Sequence, residues 1–196
     1  MPRRIAILED HPLMREFLHD SLLAGVDGCQ VVYSGADVHE ALTHASRGEG
    51  STAQGIDLVL LDLDLGDQHG AQENVPPFVK RGARVLVISA AASPEVVQQA
   101  MAAGAVGFMP KHGNLVGLVD VVVAALEHAS CMTPELAGKL AVPAIAEVML
   151  SDRQQRALTL CGAGMSVRAI AASMGLTTLD VDELLESSVR AYRKRP

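Results

Sequence analysis

Three carboxylates, one hydroxyl and one amine lie at or just after short apolar runs. Glu9 and Asp10 follow RIAIL (4–8), and Asp62 closes LVLLD (58–62). Ser89 lies at the end of ARVLVISA (83–90), and Lys111 stands just after AVGFM (105–109). If these runs are neighbouring strands, the five groups share one edge. Glu9, Asp10 and Asp62 would then repel one another unless a hard cation sat between them. Mg2+ suits such a place, because it takes a few carboxylate or carbonyl oxygens and keeps several waters. Beside it, Asp62 can attack phosphorus and form an acyl phosphate. The cation and the Lys111 ammonium would neutralise the transferring oxygens. Ser89 can donate to a phosphate oxygen only once the phosphate is there, so it can pull its loop inward and bias a two-state element.

The elements that must position these groups are legible. RIAIL, QVVYS (30–34), LVLLD, ARVLVISA and AVGFM read as strands. Helical spacing connects them at 11–23, 36–45, 93–104 and 114–129. In the third of these, Ser93 is the N-cap, Pro94 occupies N1 and Gly104 lies just past the end. A full helix through 71–81 is excluded by Pro76 and Pro77, so a short or distorted one is expected there. Continuous apolar strands joined by helices imply a parallel sheet covered on both faces, with ligands at the carboxyl ends of its strands. Residues 131–149 read as a linker with some helix. Beyond them the pattern is all helical. Ser151 opens a capping box for 152–161, Ser166 caps 167–174, Gly175 ends that helix, and Thr177 caps a last one over about 178–193. Two helices joined by Gly175-Leu176-Thr177 make a helix-turn-helix.

Composition narrows the class. The chain has 196 residues and is 49% hydrophobic, enough for one ordinary domain and a small one. Residues 1–130 carry 8 Lys+Arg against 16 Asp+Glu, a net −8; residues 150–196 carry 7 against 5, a net +2. That asymmetry suggests two modules with different jobs. Cys29, Cys131 and Cys161 are scattered, as expected of reduced thiols in a cytoplasmic protein. The start, MPRRIAILED, has no apolar segment after its arginines, and no run is long enough for a membrane span. The absence of tryptophan argues against aromatic stacking on single-stranded nucleic acid.

ILEDHPLMRE, LLDLDLG, VLVISA and GFMPK together resemble the receiver domain of two-component response regulators, a flavodoxin-like, doubly wound parallel five-stranded α/β fold. The resemblance implies Asp62 as phosphoacceptor, and Mg2+ held by Glu9, Asp10, Asp62 and the backbone carbonyl of Asp64. It implies Ser89 and Lys111 as holders of the phosphoryl group, and Phe108 as the aromatic that turns with the switch. The donor would be the phosphohistidine of a sensor histidine kinase. Asp64 also puts a carboxylate near the phosphoryl group, which is expected to alter rates of phosphorylation or loss. The proline common shortly after the phosphoacceptor in this family is replaced by Leu-Gly-Asp. D-x-D after an apolar strand is also similar to haloacid-dehalogenase phosphatases, with Asp62 as nucleophile and Asp64 as acid/base. That pattern wants Thr or Val where this chain has Gly66, and a late acidic pair where this chain has an early one.

LSDRQQRALTLCGAGMSVRAIAASMGL (150–176) resembles the helix-turn-helix of NarL/LuxR-type regulators, a small all-α module. The expected organisation is a receiver over 1–130, a linker over 131–149 and this module over 150–196. The resemblance implies a phosphorylation-controlled, DNA-binding transcription regulator that is a homodimer when active and has no substrate turnover of its own. Candidate DNA contacts are Arg168, Thr178, Asp182, Glu183, Arg190, Arg193 and Lys194. The recognition helix carries Asp182, Glu183 and Glu186, where the family often has T-V-K-x-H. A module retained for protein contacts is therefore the alternative.

Overall fold

The computed structural model describes residues 2–45, 55–66, 69–90, 93–111, 117–128, 130–142 and 148–193. Its strands are β1 (Arg3–Leu8), β2 (Cys29–Gly35), β3 (Leu58–Asp62), β4 (Arg84–Ser89) and β5 (Gly107–Pro110). They form one sheet in the order β2-β1-β3-β4-β5, with every pairing parallel. This is the flavodoxin-like order, whose direction reverses between β1 and β3. All of β3 is buried, as its unbroken apolar run requires.

Alternation along β1 divides the core. Ile5 and Ile7 face one side, with Leu18 and Leu22 of α1 (Pro12–Gly25) and Leu118 and Val122 of α6 (Leu118–Glu127). Ala6 and Leu8 face the other, which is covered by α2 (Val38–Ala45), α3 (Ala71–Asn74), α4 (Pro76–Val79) and α5 (Pro94–Ala102). The two four-residue helices are what Pro76 and Pro77 permit: the chain closes one turn at Asn74 and starts another with proline in its first positions. Ser93 caps α5 by accepting from the Val96 N–H, and Gly104 follows with φ +109. Of the helix expected over 114–129, the stretch 118–127 forms, while 114–116 and 129 lie outside the described residues. The strand expected at 105–109 is shifted. Ala105 and Val106 instead lead in from α5, their N–H groups bonding Ala100 O and Val85 O.

The linker is more structured than its sequence suggests. Cys131 forms a parallel bridge with Gly107 on the open edge of β5, and its N–H bonds Val106 O at 2.7 Å. A Cβ at Gly107 would lie 3.1 Å from Cys131 O, so glycine allows this close approach. α7 (Pro134–Ala141) follows and packs on α8 (Asp152–Gly162). Then come α9 (Val167–Met174) and α10 (Thr178–Arg193), with boundaries where the caps at Ser166 and Thr177 place them. Gly175, at φ +66, makes the tight turn that ends α9. Leu158, Ile170 and Ala171 are buried, and Leu150, Leu160, Met174 and Leu176 pack partly buried against them. These residues join the core that covers the Ala6/Leu8 face of the sheet, so one apolar cluster runs from sheet to C-terminal helices. Among the described residues, no helix is long and apolar enough to cross a membrane.

Candidate functional site

The carboxyl ends of β1, β3, β4 and β5 bring the candidate residues together. Register places Asp62 beside Ile88 and Ser89 beside Pro110, and the Lys111 N–H bonds Ser89 O at 2.9 Å. Glu9 is fully buried, its N–H bonding Gly35 O and its Oε1 accepting the His11 N–H at 3.1 Å. Arg15, from the start of α1, donates to the Glu9 carbonyl at 2.7 Å and fixes the loop after β1.

At the centre is a charge bridge. Lys111 Nζ lies 2.6 Å from Asp62 Oδ2 and 2.6 Å from Glu9 Oε2. Asp62 is 2% exposed, and two buried carboxylates this close need a cation between them. Burial alone would lower the Lys111 pKa; hydrogen bonds to Asp62 and Glu9 outweigh it, and the pKa is raised. Asp62 Oδ1 is buried and has no hydrogen-bond partner. Glu9 Oε2, which meets only the Lys111 ammonium, is the other buried carboxylate oxygen with acceptor capacity to spare at the site.

The donor atoms of Glu9, Asp10 and His11 lie within 4.8 Å of one another. Asp10 is exposed, and His11 Nδ1 is 3.5 Å from its Oδ1. Buried Glu9, exposed Asp10 and the open oxygen of Asp62 are an all-oxygen set suited to a hard divalent cation. The imidazole of His11 was not singled out in the sequence, although it directly follows the acidic pair. Ser89 is buried, as is Phe108; Asp64 is exposed. Phe108 also joins the site to the linker, since its carbonyl accepts from Thr133 Oγ1 at 3.4 Å.

Residues 5–123 match the model of the response regulator receiver domain. The chain belongs to the response regulator receiver family. A probable transcriptional regulatory protein NarL from Mycobacterium tuberculosis is 32% identical to this response regulator over 180 residues, covering 87% of this chain and 79% of that one. The glycerol metabolism activator of Pseudomonas putida is 30% identical over 138 residues, 68% of this chain. The chain spans only 58% of that activator's length. RcsB from Salmonella enterica serovar Typhimurium, solved on a promoter with a phosphomimetic, superposes on all of this chain and 95% of its own, with a TM-score of 0.55. At 16% identity that likeness shows the fold alone, including the C-terminal helices.

The candidate DNA contacts of this response regulator do not form one basic surface. Arg168 and Thr178 are exposed, as are Asp182 and Glu183. Arg190 is engaged by Glu183 and, at 3.5 Å, by Glu186 on its own helix. Arg193 is half-buried and donates to Ala105 O at 2.6 Å, and burial lowers its pKa. Lys194 lies outside the described residues. Sequence reasoning missed this role of Arg193. The available signal was that a helix with Val181, Leu185 and Val189 inward carries Tyr192 and Arg193 toward the same neighbour.

Proposed function

We propose that Asp62 accepts a phosphoryl group from the phosphohistidine of a sensor histidine kinase and that this controls transcription through the C-terminal helices. Residues 1–130 would be the receiver, 131–149 the linker and 150–196 the output module, in a cytoplasmic protein that dimerises when active. The observation that carries the reading is the Lys111 bridge between Glu9 and Asp62, with Asp62 Oδ1 buried and unpartnered beside it.

The chemistry follows from those groups. A carboxylate oxygen of Asp62 attacks phosphorus; the P–O bond forms as the P–N bond to the donor imidazole breaks, and the imidazole leaves to take a solvent proton. Lys111 stays within reach of the new phosphoryl oxygens and offsets their charge. Ser89 donates its hydroxyl to one of them, and Phe108 moves with that loop. Glu9, Asp10, Asp62 and the Asp64 carbonyl would hold Mg2+, which supplies neutralisation of the incoming phosphate. The chain turns over no substrate of its own in this scheme; it is marked.

The test is intact-mass analysis after acetyl phosphate and Mg2+. Wild type should gain one phosphoryl group and Asp62→Asn none. A stable adduct on both would refute the assignment. For the output, contact with DNA through Arg168 and Thr178 is the first reading, in line with the transcriptional relatives. Engagement of Arg190 and Arg193 within the protein favours a second, in which the module works through protein contacts.

A further inference from the structure

Glu9, Asp10 and His11 carry the chain from β1 to α1, and one residue ties all three down. The Arg15 N–H donates to the His11 carbonyl at 3.0 Å. Arg15 Nη1 donates to the Glu9 carbonyl at 2.7 Å and to the Asp10 carbonyl at 3.4 Å. With three successive carbonyls held this way, the side chains gather, and one donor atom of each lies within 4.8 Å of the others. His11 Nδ1 is 3.5 Å from Asp10 Oδ1, and the His11 N–H holds Glu9 Oε1 at 3.1 Å. The imidazole stands at the N-cap of α1 but makes no capping hydrogen bond, so the helix does not need it.

This group is more than a solvated acidic turn, because it continues into buried carboxylates. Glu9 is fully buried and shares Lys111 Nζ with buried Asp62, at 2.6 Å to each. Asp62 Oδ1 has no hydrogen-bond partner. A buried carboxylate oxygen left so is costly until a cation reaches it. The cation then meets two kinds of donor. Carboxylate oxygens suit Mg2+ and Mn2+ alike, and by themselves discriminate little between them. An imidazole nitrogen does discriminate: Mg2+ is a hard ion that keeps its oxygen ligands, whereas first-row transition ions accept nitrogen readily.

We propose that the His11 imidazole is a nitrogen ligand of the cation site beside Asp62, so that the site takes a first-row transition dication such as Mn2+ in preference to Mg2+. This rests on the cation site that the phosphoacceptor reading requires, and goes beyond it in the ligand set and in the ion selected.

The test uses the full unphosphorylated chain with Mn2+ as probe and Mg2+ as competitor, both followed by electron paramagnetic resonance. Bound Mn2+ should show coupling to a directly ligated nitrogen in the spin-echo envelope, and His11→Ala should abolish it. His11→Ala should weaken Mn2+ about tenfold and Mg2+ less than about twofold. Asp10→Asn should weaken both ions. His19 supplies a matched control, since its Nδ1 lies 3.3 Å from Asp20 Oδ1 on the exposed surface. His19→Ala should leave the nitrogen coupling and both affinities unchanged. No nitrogen coupling in the wild type, or equal weakening of both ions in His11→Ala, would overturn the proposal. Loss of the coupling in His19→Ala would assign the nitrogen to a surface histidine and overturn it as well. If Asp10→Asn weakened neither ion, the cation site itself would be refuted. That failure is distinct from one at His11, in which Asp10→Asn weakens both ions and His11→Ala changes nothing.

Discussion

Lys111 is the residue on which the site turns, because it is the cation that lets Glu9 and Asp62 stay buried and charged together. Lys111→Met keeps the bulk and removes the charge. It should cost about 3–5 kcal/mol in urea unfolding, the scale for breaking a buried pair. If the ammonium occupies the role of a cation at this site, Mg2+ should raise the Tm of Lys111→Met by more than that of wild type. Equal shifts would argue against the role. The pH dependence has a definite sign. The folded-state pKa of Lys111 is raised above its ordinary 10.5, so its contribution is complete below that value. It is lost as pH rises through the folded value, and Lys111→Met should lack this alkaline loss. At this scale the sequence was informative: Asp62, Glu9, Ser89 and Lys111 were legible because each follows an apolar run. The bridge itself was not, since which carboxylate a lysine reaches depends on how far apart the strand ends finally lie.

Among the elements, caps and periodicity carried most of the information. Ser93, Ser166 and Thr177 mark helix starts that the structure keeps, and Pro76-Pro77 marks the broken α3–α4 segment. The linker was opaque for a physical reason. Leu136, Ala137 and Leu140 give α7 a helical apolar spacing, but nothing in so short a stretch signals that Cys131 bridges a sheet edge or which neighbour α7 packs against. Small residues carry the information instead. A Cβ at Gly162 would lie 2.7 Å from Gly138 Cα and 2.8 Å from Gly138 N, so α7 and α8 touch backbone to backbone. Gly162→Ala must push the helices apart and should cost about 1–3 kcal/mol in urea unfolding, as overpacking does. Alanine would otherwise favour the helix by close to 1 kcal/mol, so a stabilised variant would show that the contact yields freely.

For the whole molecule the consequence is cooperativity. Residues 148–193 make a small module, with little core of its own. Its apolar residues continue instead into the cluster under the sheet, through Val97, Ala100 and Met101 of α5 and Leu136 and Leu140 of α7. Polar contacts close the same seam. Buried Gln98 donates to Lys139 O at 3.0 Å and Val142 O at 2.8 Å, Tyr192 donates to Leu140 O at 2.8 Å, and Arg193 donates to Ala105 O. The sequence holds two tyrosines, Tyr33 on β2 and Tyr192 on α10, one to each side of this seam. Fluorotyrosine labelling therefore gives one NMR signal for each. In wild type both should lose native intensity at the same urea concentration, because neither side can unfold without exposing the shared core. Gln98→Ala removes the donor to the Lys139 and Val142 carbonyls, and losing two such hydrogen bonds should cost about 1–3 kcal/mol together. That loss falls on the seam, so the Tyr192 signal should then disappear before that of Tyr33. Separate wild-type transitions would mean that the sheet and the C-terminal helices are independent folding units, and a uniform shift in Gln98→Ala would mean that Gln98 stabilises both alike instead of joining them.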